Sequence, residues 1–513
     1  MTENLNNGYQ PPVSNNYGGP GYTENPVQNQ QHPAQKKSGN LGLKIGGGVL
    51  ALAILAGGGV AIANTMNTMG DKDIARALPA TTAFYGEVDL DPSNDQKVAA
   101  LSLINKVKYL AEDDKETKEE TELGETLTNP YFEELDYETE VKPWLGGKVA
   151  LGAWGSDSKL NDENVKTAVV YEINDEKKAQ EALDKVQSDK VNGVIVDGYL
   201  VISEKAETVS SYEADLEAGN LADAETFKND RKLIKENTVS EAWFDIGKLD
   251  TKEALSEYAE MASIDSSDEL TGRIVSGLSL DAKGATLITK AVDVKGGGVE
   301  TTISSSAKGV DDIKNIPASS VAAIGIKGLS ESATTAWEAN RDKIEDSPEF
   351  ASATEQLAEY GIILPEDFTK IFGSETSLGF GASANGESFA VQYRAVGGDS
   401  GTLKTLTKNA GGSDVGLFVN DDNGVAEVTF GEAKDSAKLG DTEDFDSLLK
   451  NLDTATFAGV VDLDNMEEFQ KSLKSAQGED ASDKEDKKLG KVGFTAGHDE
   501  ESNVTDMTVR WLY

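Results

Sequence analysis

The sequence predicts an α+β protein with two tandem related modules after a single transmembrane helix, each module a mainly antiparallel sheet with helices packed on one side. An apolar run near the N-terminus, landmarks that recur in the same order, and hairpin patterns in an acidic body support this fold class. The predicted parts are a disordered cytoplasmic tail (1–44), a transmembrane helix (45–64), a stalk (65–77), module 1 (78–312) with an acidic insertion (112–140), and module 2 (313–513).

The N-terminal tail precedes the apolar run. Residues 1–40 are rich in Asn, Gln, Gly, Pro and Tyr and lack the periodic aliphatic residues of a folded segment. Such a composition cannot bury enough apolar surface to offset the entropy lost on folding, so the tail is predicted to be disordered.

Residues 45–63, IGGGVLALAILAGGGVAIA, form nineteen uncharged positions, close to the ~20 that a membrane helix needs. Lys36, Lys37 and Lys44 precede the run, so the positive-inside rule predicts a cytoplasmic N-terminus and residues 65–513 outside the cell membrane. One alternative is a signal peptide cleaved at Ala61-Ile62-Ala63, which has the small-x-small form of a cleavage site. A buried soluble helix is the other.

Four landmarks recur in order along the remaining chain. The segment that begins at Leu78-Pro79 resembles the one at Ile316-Pro317, and both predict a proline-led strand followed by a helix. The other pairs are Trp144-Leu145-Gly146 with Ile371-Phe372-Gly373, Asp197-Gly198 with Asn423-Gly424, and 242–249 with 457–463. Collinear landmarks predict a duplicated module with eight strands per copy, and the Asp-Gly and Asn-Gly pairs predict tight hairpins.

The spacing between landmarks shrinks twice, which predicts two insertions in the first copy. One contains the acidic stretch 112–140, predicted to be solvated, and the other is a polar segment at 204–238. Helices with one apolar face are predicted after the fourth landmark, one with Ala254, Leu255, Tyr258, Met261 and Ala262 and one with Met466, Phe469 and Leu473. Hairpins at 278–294 and 494–511 indicate antiparallel sheets.

Composition excludes several function classes. The formal net charge of −43 repels nucleic acid and anionic lipid headgroups, so no nucleic-acid partner is expected. The chain has no cysteine, which removes disulfides and thiolate chemistry. Its two histidines are His32, in the tail, and His498, in a polar segment predicted to be a hairpin turn. A serine triad or a zinc site in the body would therefore depend on His498 alone.

One segment has the alternating oxygen ligands of a calcium loop, with Asp89, Asp91, Ser93 and Asp95. The match fails at Asn94, where a calcium hand needs Gly, and at Ala100, where it needs Glu. Helix capping is the preferred interpretation, because similar residues begin the other predicted helices. Those residues are Asp250 with Glu253, Ser330, and Asp464 with Glu467.

No motif assigns a catalytic, cofactor-binding or metal-binding residue. Glycines such as Gly296-Gly297-Gly298 lack the Lys-Ser/Thr ending of a phosphate loop and are interpreted as turns. Paired carboxylates for hydrolysis stay open as an alternative, because an acidic chain offers many such pairs. The five tryptophans fall mainly on strand or helix patterns and are predicted to lie in the core.

Two segments, LPATTAFYGEVDLDPSNDQK at 78–97 and LDYETEVKPWLGGKVAL at 135–151, resemble a family of actinobacterial membrane-anchored proteins of unknown function. The resemblance extends over most of residues 78–513 and weakens in the second module, where Ile371-Phe372-Gly373 replaces Trp-Leu-Gly and the Asp-Pro-Ser element is missing. It implies an envelope location and one N-terminal anchor. It implies no activity.

The sequence therefore predicts a membrane-anchored extracytoplasmic protein, leaning towards non-enzymatic binding or scaffolding in the bacterial cell envelope. The alternatives are a carrier of a hydrophobic envelope molecule and an extracytoplasmic hydrolase that uses carboxylates. The expected partners are the membrane, through residues 45–64, and an envelope protein, polymer or lipid. No cofactor is expected, and the oligomeric state stays open.

Overall fold

The structure, a computed structural model, places the strands of the described residues in one sheet. The described residues are 73–110, 123–155, 159–161, 163–188, 191–235, 237–250, 270–296, 307–384, 388–434, 436–466, 469–470 and 488–513. Sixteen strands form the sheet, and every pair of neighbouring strands is antiparallel. They are β1 Phe84–Asp89, β2 Leu145–Trp154, β3 Lys166–Ile173, β4 Asn192–Val196, β5 Tyr199–Ser203, β6 Ser240–Asp245, β7 Thr271–Asp281, β8 Gly284–Lys295, β9 Ser320–Lys327, β10 Glu375–Ala382, β11 Phe389–Val396, β12 Leu417–Asp422, β13 Val425–Phe430, β14 Phe457–Asp462, β15 Lys491–Asp499 and β16 Val504–Leu512.

The described α-helices lie between these strands, and short single-turn helices accompany them. The α-helices are α1 Asn94–Leu110, α2 Leu123–Phe132, α3 Glu176–Val186, α4 Ala206–Glu217, α5 Glu225–Arg231, α6 Leu329–Ala339, α7 Arg341–Glu345, α8 Pro348–Glu359, α9 Phe368–Phe372, α10 Ser400–Asn409 and α11 Phe445–Leu448. Of the predicted helices after the fourth landmark, the one at 254–262 lies outside the described residues. Of the other, only Met466 and Phe469 are described.

The strand order repeats within the sheet. Counted from the outer edge to the centre, β1–β8, called the first half, run 4-5-3-2-1-6-7-8, and β9–β16, called the second half, run 12-13-11-10-9-14-15-16. The halves join where β8 pairs with β16, with Ile288 opposite Thr508. An antiparallel pair between equivalent strands relates the halves by an approximate two-fold axis perpendicular to the sheet, so each face of one half continues into the same face of the other.

The prediction of two tandem modules, each with its own sheet, is wrong. The halves share one sixteen-stranded sheet because β8 and β16 pair with each other along nine residue positions. An unpaired strand in that place would leave a row of backbone N–H and C=O groups without partners, and pairing the two edges satisfies both. The predicted helices on one side are also wrong for the first half, where both faces are covered.

The two faces of the sheet are named by side chains that they carry. Alternation along the strands and the pairing register place Val88, Tyr171 and Phe380 on face A, and Tyr85 and Trp243 on face B.

Both faces of the first half are covered by packed elements. On face A, Leu127 and Phe132 of α2 and Leu183 of α3 pack into a buried cluster with Trp144 and Tyr171. On face B, a second buried cluster joins sheet residues to the 3-10 helix Ile74–Ala77, to α4 and to α5. Within the insertion predicted to be solvated, residues 123–140 contribute the buried side chains of Leu127 and Phe132, so that prediction is wrong for them. Residues 111–122 lie outside the described residues.

The second half carries helix α9 on face A, where the Tyr393 hydroxyl donates to the carbonyl of Ile371, and its main buried cluster lies on face B. There Ile313, Ile316, Leu439 and Phe445 pack on Ala458 and neighbouring residues of the sheet. Among the described residues, the second half contributes no comparable buried cluster on face A. The core of the molecule is therefore uneven between the halves.

A shared contact positions the start of each half on face B. Gly152 in β2 has no side chain, and a Cβ there would lie 2.3 Å from the side chain of Leu78. A Cβ on Gly379 in β10 would lie 2.5 Å from Ile316 in the same way. The aliphatic residue before each proline thus needs a glycine beneath it.

Both predicted tight hairpins are confirmed, with positive φ at Asp197-Gly198 and at Asn423-Gly424.

The predicted membrane helix at 45–64 falls outside the described residues, as do the tail at 1–44 and residues 65–72 of the stalk. Within the described part of the chain, no helix is both long enough and apolar enough to span a membrane. The longest α-helix there, α1, has 17 residues and carries charged side chains, short of the ~20 apolar residues needed. This finding runs against the predicted single-pass anchor and the cell-membrane location, and neither is assigned to the protein.

Candidate binding surface

The calcium-like segment is a helix cap. The backbone N–H and the hydroxyl of Ser93 both donate to Oε1 of Gln96, at 3.0 Å each, and α1 begins at the next residue. The ammonium group of Lys97 lies 2.7 Å from Oδ1 of Asp91. The hydrogen bonds from Ser93 to Gln96 confirm the capping interpretation for this segment.

The capping residues predicted for the second half are partly wrong. Asp462, and not Asp464, accepts from the backbone N–H of Asn465, whereas Asp464 accepts from Leu489 and Gly490 across the loop. Ser330 is the second residue of α6, and its hydroxyl donates to the carbonyl of Gly373. Asp250 begins no described helix, since residues 251–269 lie outside the described residues, as does Glu467.

A buried carboxylate cluster lies on face B of the first half. Glu87 contacts Tyr85, accepts from Arg231 at 3.2 Å and lies 3.8 Å from the ammonium group of Lys148. Arg231 also binds Glu241 at 2.7 Å. Burial raises the pKa of the Glu87 carboxyl, although Lys148 and Arg231 act in the opposite direction. This network joins α5 to the sheet.

Other buried carboxylates have equally specific partners. Asp230 accepts from the Trp243 indole at 2.8 Å and from Arg273 at 2.7 Å, and Asp312 binds Arg394 at 3.0 Å. Two carboxylates arranged for hydrolysis need one free group and one protonated group facing a cleft. These carboxylates are engaged by cations or by an indole, so they form structural contacts.

His498 lies in β15, not in a turn, with Nδ1 3.0 Å from the Thr505 hydroxyl.

Two hollows on face B of the second half have volumes of about 60 and 120 Å³. Pockets for drug-sized ligands usually have ~300–1,000 Å³. The smaller hollow is lined by Gly379, Gly381 and Gln392, at the place where the first half has the buried Trp154 against α4. Neither hollow has the size expected for a carrier of a large hydrophobic molecule.

Exposed large apolar side chains are concentrated in the second half. Of the nine described residues of this kind, Val98 alone lies in the first half. The others are Phe350, Tyr360, Ile363, Leu378, Phe389, Val415, Phe418 and Met507. Isolated exposed apolar residues are ordinary, whereas contiguous groups mark interaction sites. Which of these eight lie together then decides the candidate surface.

The aromatic patch, defined as Leu378, Phe380, Phe389 and Phe430, lies on face A near the outer edge of the second half. The rings of Phe389 and Phe430 are stacked with centroids 5.0 Å apart, and Phe380 lies 5.9 Å from Phe389. Phe389 is 42% exposed and Leu378 is 37% exposed. Phe469, after β14, contacts Phe380 edge to face at 5.5 Å. Stacked, partly exposed rings offer a rigid apolar surface at low entropic cost.

The equivalent place in the first half is covered. Ala153 in β2 corresponds to Phe380, and Val165 before β3 corresponds to Phe389, but Val165 is only 7% exposed. Leu160, from the longer β2–β3 connection, and Leu249 pack there in a buried cluster with Phe84. The patch is therefore exposed because the second half lacks the segment that closes the first half.

The aromatic patch was not predicted from the sequence. Its residues come from β10, β11 and β13, and their contact depends on the strand pairing. Two features of the sequence could have indicated it. The connection between β10 and β11 is shorter than the equivalent connection between β2 and β3, and the second half has aromatic residues at strand positions that face the same side of the sheet. Apolar alternation by itself does not show whether a sheet face is covered.

Comparison with known proteins gives one match. Residues 44–197 match the family model described as a protein of unknown function (DUF3352), so a DUF3352 domain of unknown function is found there. The match ends in the turn between β4 and β5 and does not include the aromatic patch. No curated protein and no solved structure matches the chain.

Proposed function

We propose that this protein is a non-enzymatic binding protein that uses the aromatic patch to hold a polypeptide partner with apolar and basic side chains. The observation that carries the proposal is the stacked and exposed arrangement of Phe389 with Phe430 and Phe380 on a sheet face. Interface centres are typically enriched in such aromatic anchors.

Charge selects the partner among the candidates. The chain has a formal net charge of −43, and the exposed Asp421 lies on the same face, on the adjoining edge strand β12. A basic partner is attracted by this field, whereas a second copy of the chain and a membrane with anionic headgroups are repelled. A peptide with alternating apolar and basic residues presents both properties on one strand.

The test uses the full chain and three synthetic peptides, one of alternating leucine and lysine, one of serine and lysine, and one of leucine and glutamate. We expect the leucine–lysine peptide alone to bind. The double variant Leu378→Ser/Phe389→Ser should weaken that binding at least tenfold, measured by fluorescence anisotropy of labelled peptide. Phe418→Ser serves as the matched control, since Phe418 is exposed on the opposite face of the edge strand.

Three outcomes would overturn the proposal. The first is equal affinity of the double variant and the unchanged protein for the leucine–lysine peptide. The second is equal binding of the serine–lysine peptide, which would show attraction by charge alone. The third is patch-dependent binding of phosphatidylcholine vesicles without peptide binding, which would favour the carrier alternative. The urea midpoint of each variant verifies that it is folded.

A further inference from the structure

A second site lies on face B, beside the junction of the two halves. Its volume is about 120 Å³, and Thr495 of β15 and Thr508 of β16 form its floor as directly opposed residues. Asn451 and Thr454, from the loop before β14, line it as well. A Cβ on Gly497 would lie 2.5 Å from the carbonyl oxygen of Thr454, so the glycine lets this loop come close to the strand. We call this the junction pocket.

The floor of the junction pocket carries two unused hydroxyl groups. Thr495 and Thr508 are 5% and 8% exposed, so each side chain is more than nine-tenths buried. Within the described part of the chain, neither hydroxyl has a hydrogen-bond partner. Neither hydroxyl is among the fully buried polar atoms left without a partner, so both face the open pocket, where a ligand hydroxyl can take the place of water. Thr286, also buried on this face, is instead bonded to Arg510.

The charges at the rim of the junction pocket are balanced. Asp506 is paired with Lys290, and Asp499 lies 3.9 Å from the ammonium group of Lys308. Each carboxylate thus already has a cation next to it, and no single charge sign dominates. A neutral molecule with several hydroxyl groups fits this combination better than an anion or a metal cation. Each ligand hydroxyl can both donate to and accept from a threonine hydroxyl.

The size of the junction pocket limits the ligand. A cavity of ~150 Å³ holds a benzene molecule, so about 120 Å³ accommodates a compact molecule of roughly three or four carbons. At the corresponding place in the first half, described side chains occupy this space. There β7 carries Gly277, and side-chain atoms of Thr238 and Ile234 lie 2.6 and 2.7 Å from where its Cβ would be. The insertion that fills the first half is missing from the second.

We propose that the junction pocket binds a small neutral polyol the size of glycerol, through the hydroxyl groups of Thr495 and Thr508. The site is separate from the aromatic patch, because threonines 495 and 508 lie on face B and the patch lies on face A. Either proposal can therefore fail while the other stands.

The test is saturation-transfer NMR on the full chain, with glycerol, glycine and inorganic phosphate as parallel probes. We expect transfer to glycerol and little to the other two. The double variant Thr495→Val/Thr508→Val removes both hydroxyls and keeps the side-chain shape. It should reduce the glycerol signal at least fivefold with an undiminished urea midpoint. Thr167→Val, an exposed change on β3, is the control and should leave the signal unchanged.

Absence of transfer to glycerol at millimolar concentrations would overturn the proposal. An equal glycerol signal in the double valine variant would overturn it as well, because it would locate binding elsewhere. Stronger transfer to glycine than to glycerol would show that the rim charges, and not the hydroxyls, recognise the ligand. If the double variant unfolds, Thr495→Val and Thr508→Val are measured singly, and each should still lower the glycerol signal.

Discussion

The two halves of the sheet have the same strand order but different coverings. In the first half, buried clusters lie on both faces, and the largest fully buried side chains of the described residues, such as Trp144, Trp154 and Trp243, all lie there. In the second half, face B has one main cluster, while face A exposes the aromatic patch. A shared topology therefore does not impose a shared surface, because loops and insertions decide what covers a sheet.

The two halves differ in how much they contribute to the core and to the exposed surface. Among the described residues, the first half contributes most of the buried apolar side chains, and burial of apolar side chains is the main source of stability. The second half, joined to it through β8 and β16, exposes apolar and hydroxyl-lined surface without needing an equally large core of its own. We therefore expect binding surfaces of this protein where the insertions of the first half are missing.

The largest expected effect tests whether the stability of the protein depends mainly on the core of the first half. Trp154→Ala removes a fully buried ring and the hydrogen bond from its indole to Asp215, 2.9 Å long. We expect the free energy of unfolding to fall by about 3–5 kcal/mol, measured by urea denaturation. Phe418→Ala, which truncates an exposed ring in the second half, is the comparison and should change it by less than about 0.5 kcal/mol. Similar losses in both would remove the contrast between the halves.

A medium effect should appear in both halves alike. Gly152→Ala and Gly379→Ala each add a Cβ that overlaps Leu78 or Ile316. We expect each variant to lose about 1–3 kcal/mol of unfolding free energy, because the aliphatic side chain must move from its packed position. Gly424→Ala is not a suitable control, since its φ is positive. Thr167→Ala, exposed on β3, is suitable. A loss in only one half would show that the contact is not equivalent.

The smallest effect concerns pH and the Glu87 cluster of the first half. Burial raises the folded-state pKa of Glu87 above 4.5, so the folded protein holds the proton more tightly than the unfolded chain. Its contribution to stability is complete below pH ~4.5 and is lost as pH rises through the folded pKa. As the pH rises from ~4.5 through the folded-state pKa, the urea midpoint of Glu87→Gln should therefore decline less than that of the unchanged protein. Parallel pH profiles of the two proteins would contradict the assignment.

Local patterns predicted much of each half. The eight-strand order, the proline-led strands after Leu78 and Ile316, and both tight hairpins are found in the structure. These features depend on nearby residues, on alternation and on turn chemistry. The alignment of the fourth landmark, 242–249 with 457–463, was wrong by three positions. The strand register pairs Trp243 with Tyr85 and Val460 with Ala323, so Asp245 corresponds to Asp462. Apolar strands of period two do not specify register without their neighbours.

The sequence by itself determined which segments become strands, where the tight turns lie, and that one arrangement occurs twice. Tertiary structure alone decided that β8 and β16 pair, so that one sheet replaces two, and that Phe380, Phe389 and Phe430 meet at a partly exposed place on face A. The physical reason is the range of the interactions. Turns and alternation act over a few residues, whereas edge pairing and coverage join residues more than 200 positions apart, such as Ile288 and Thr508.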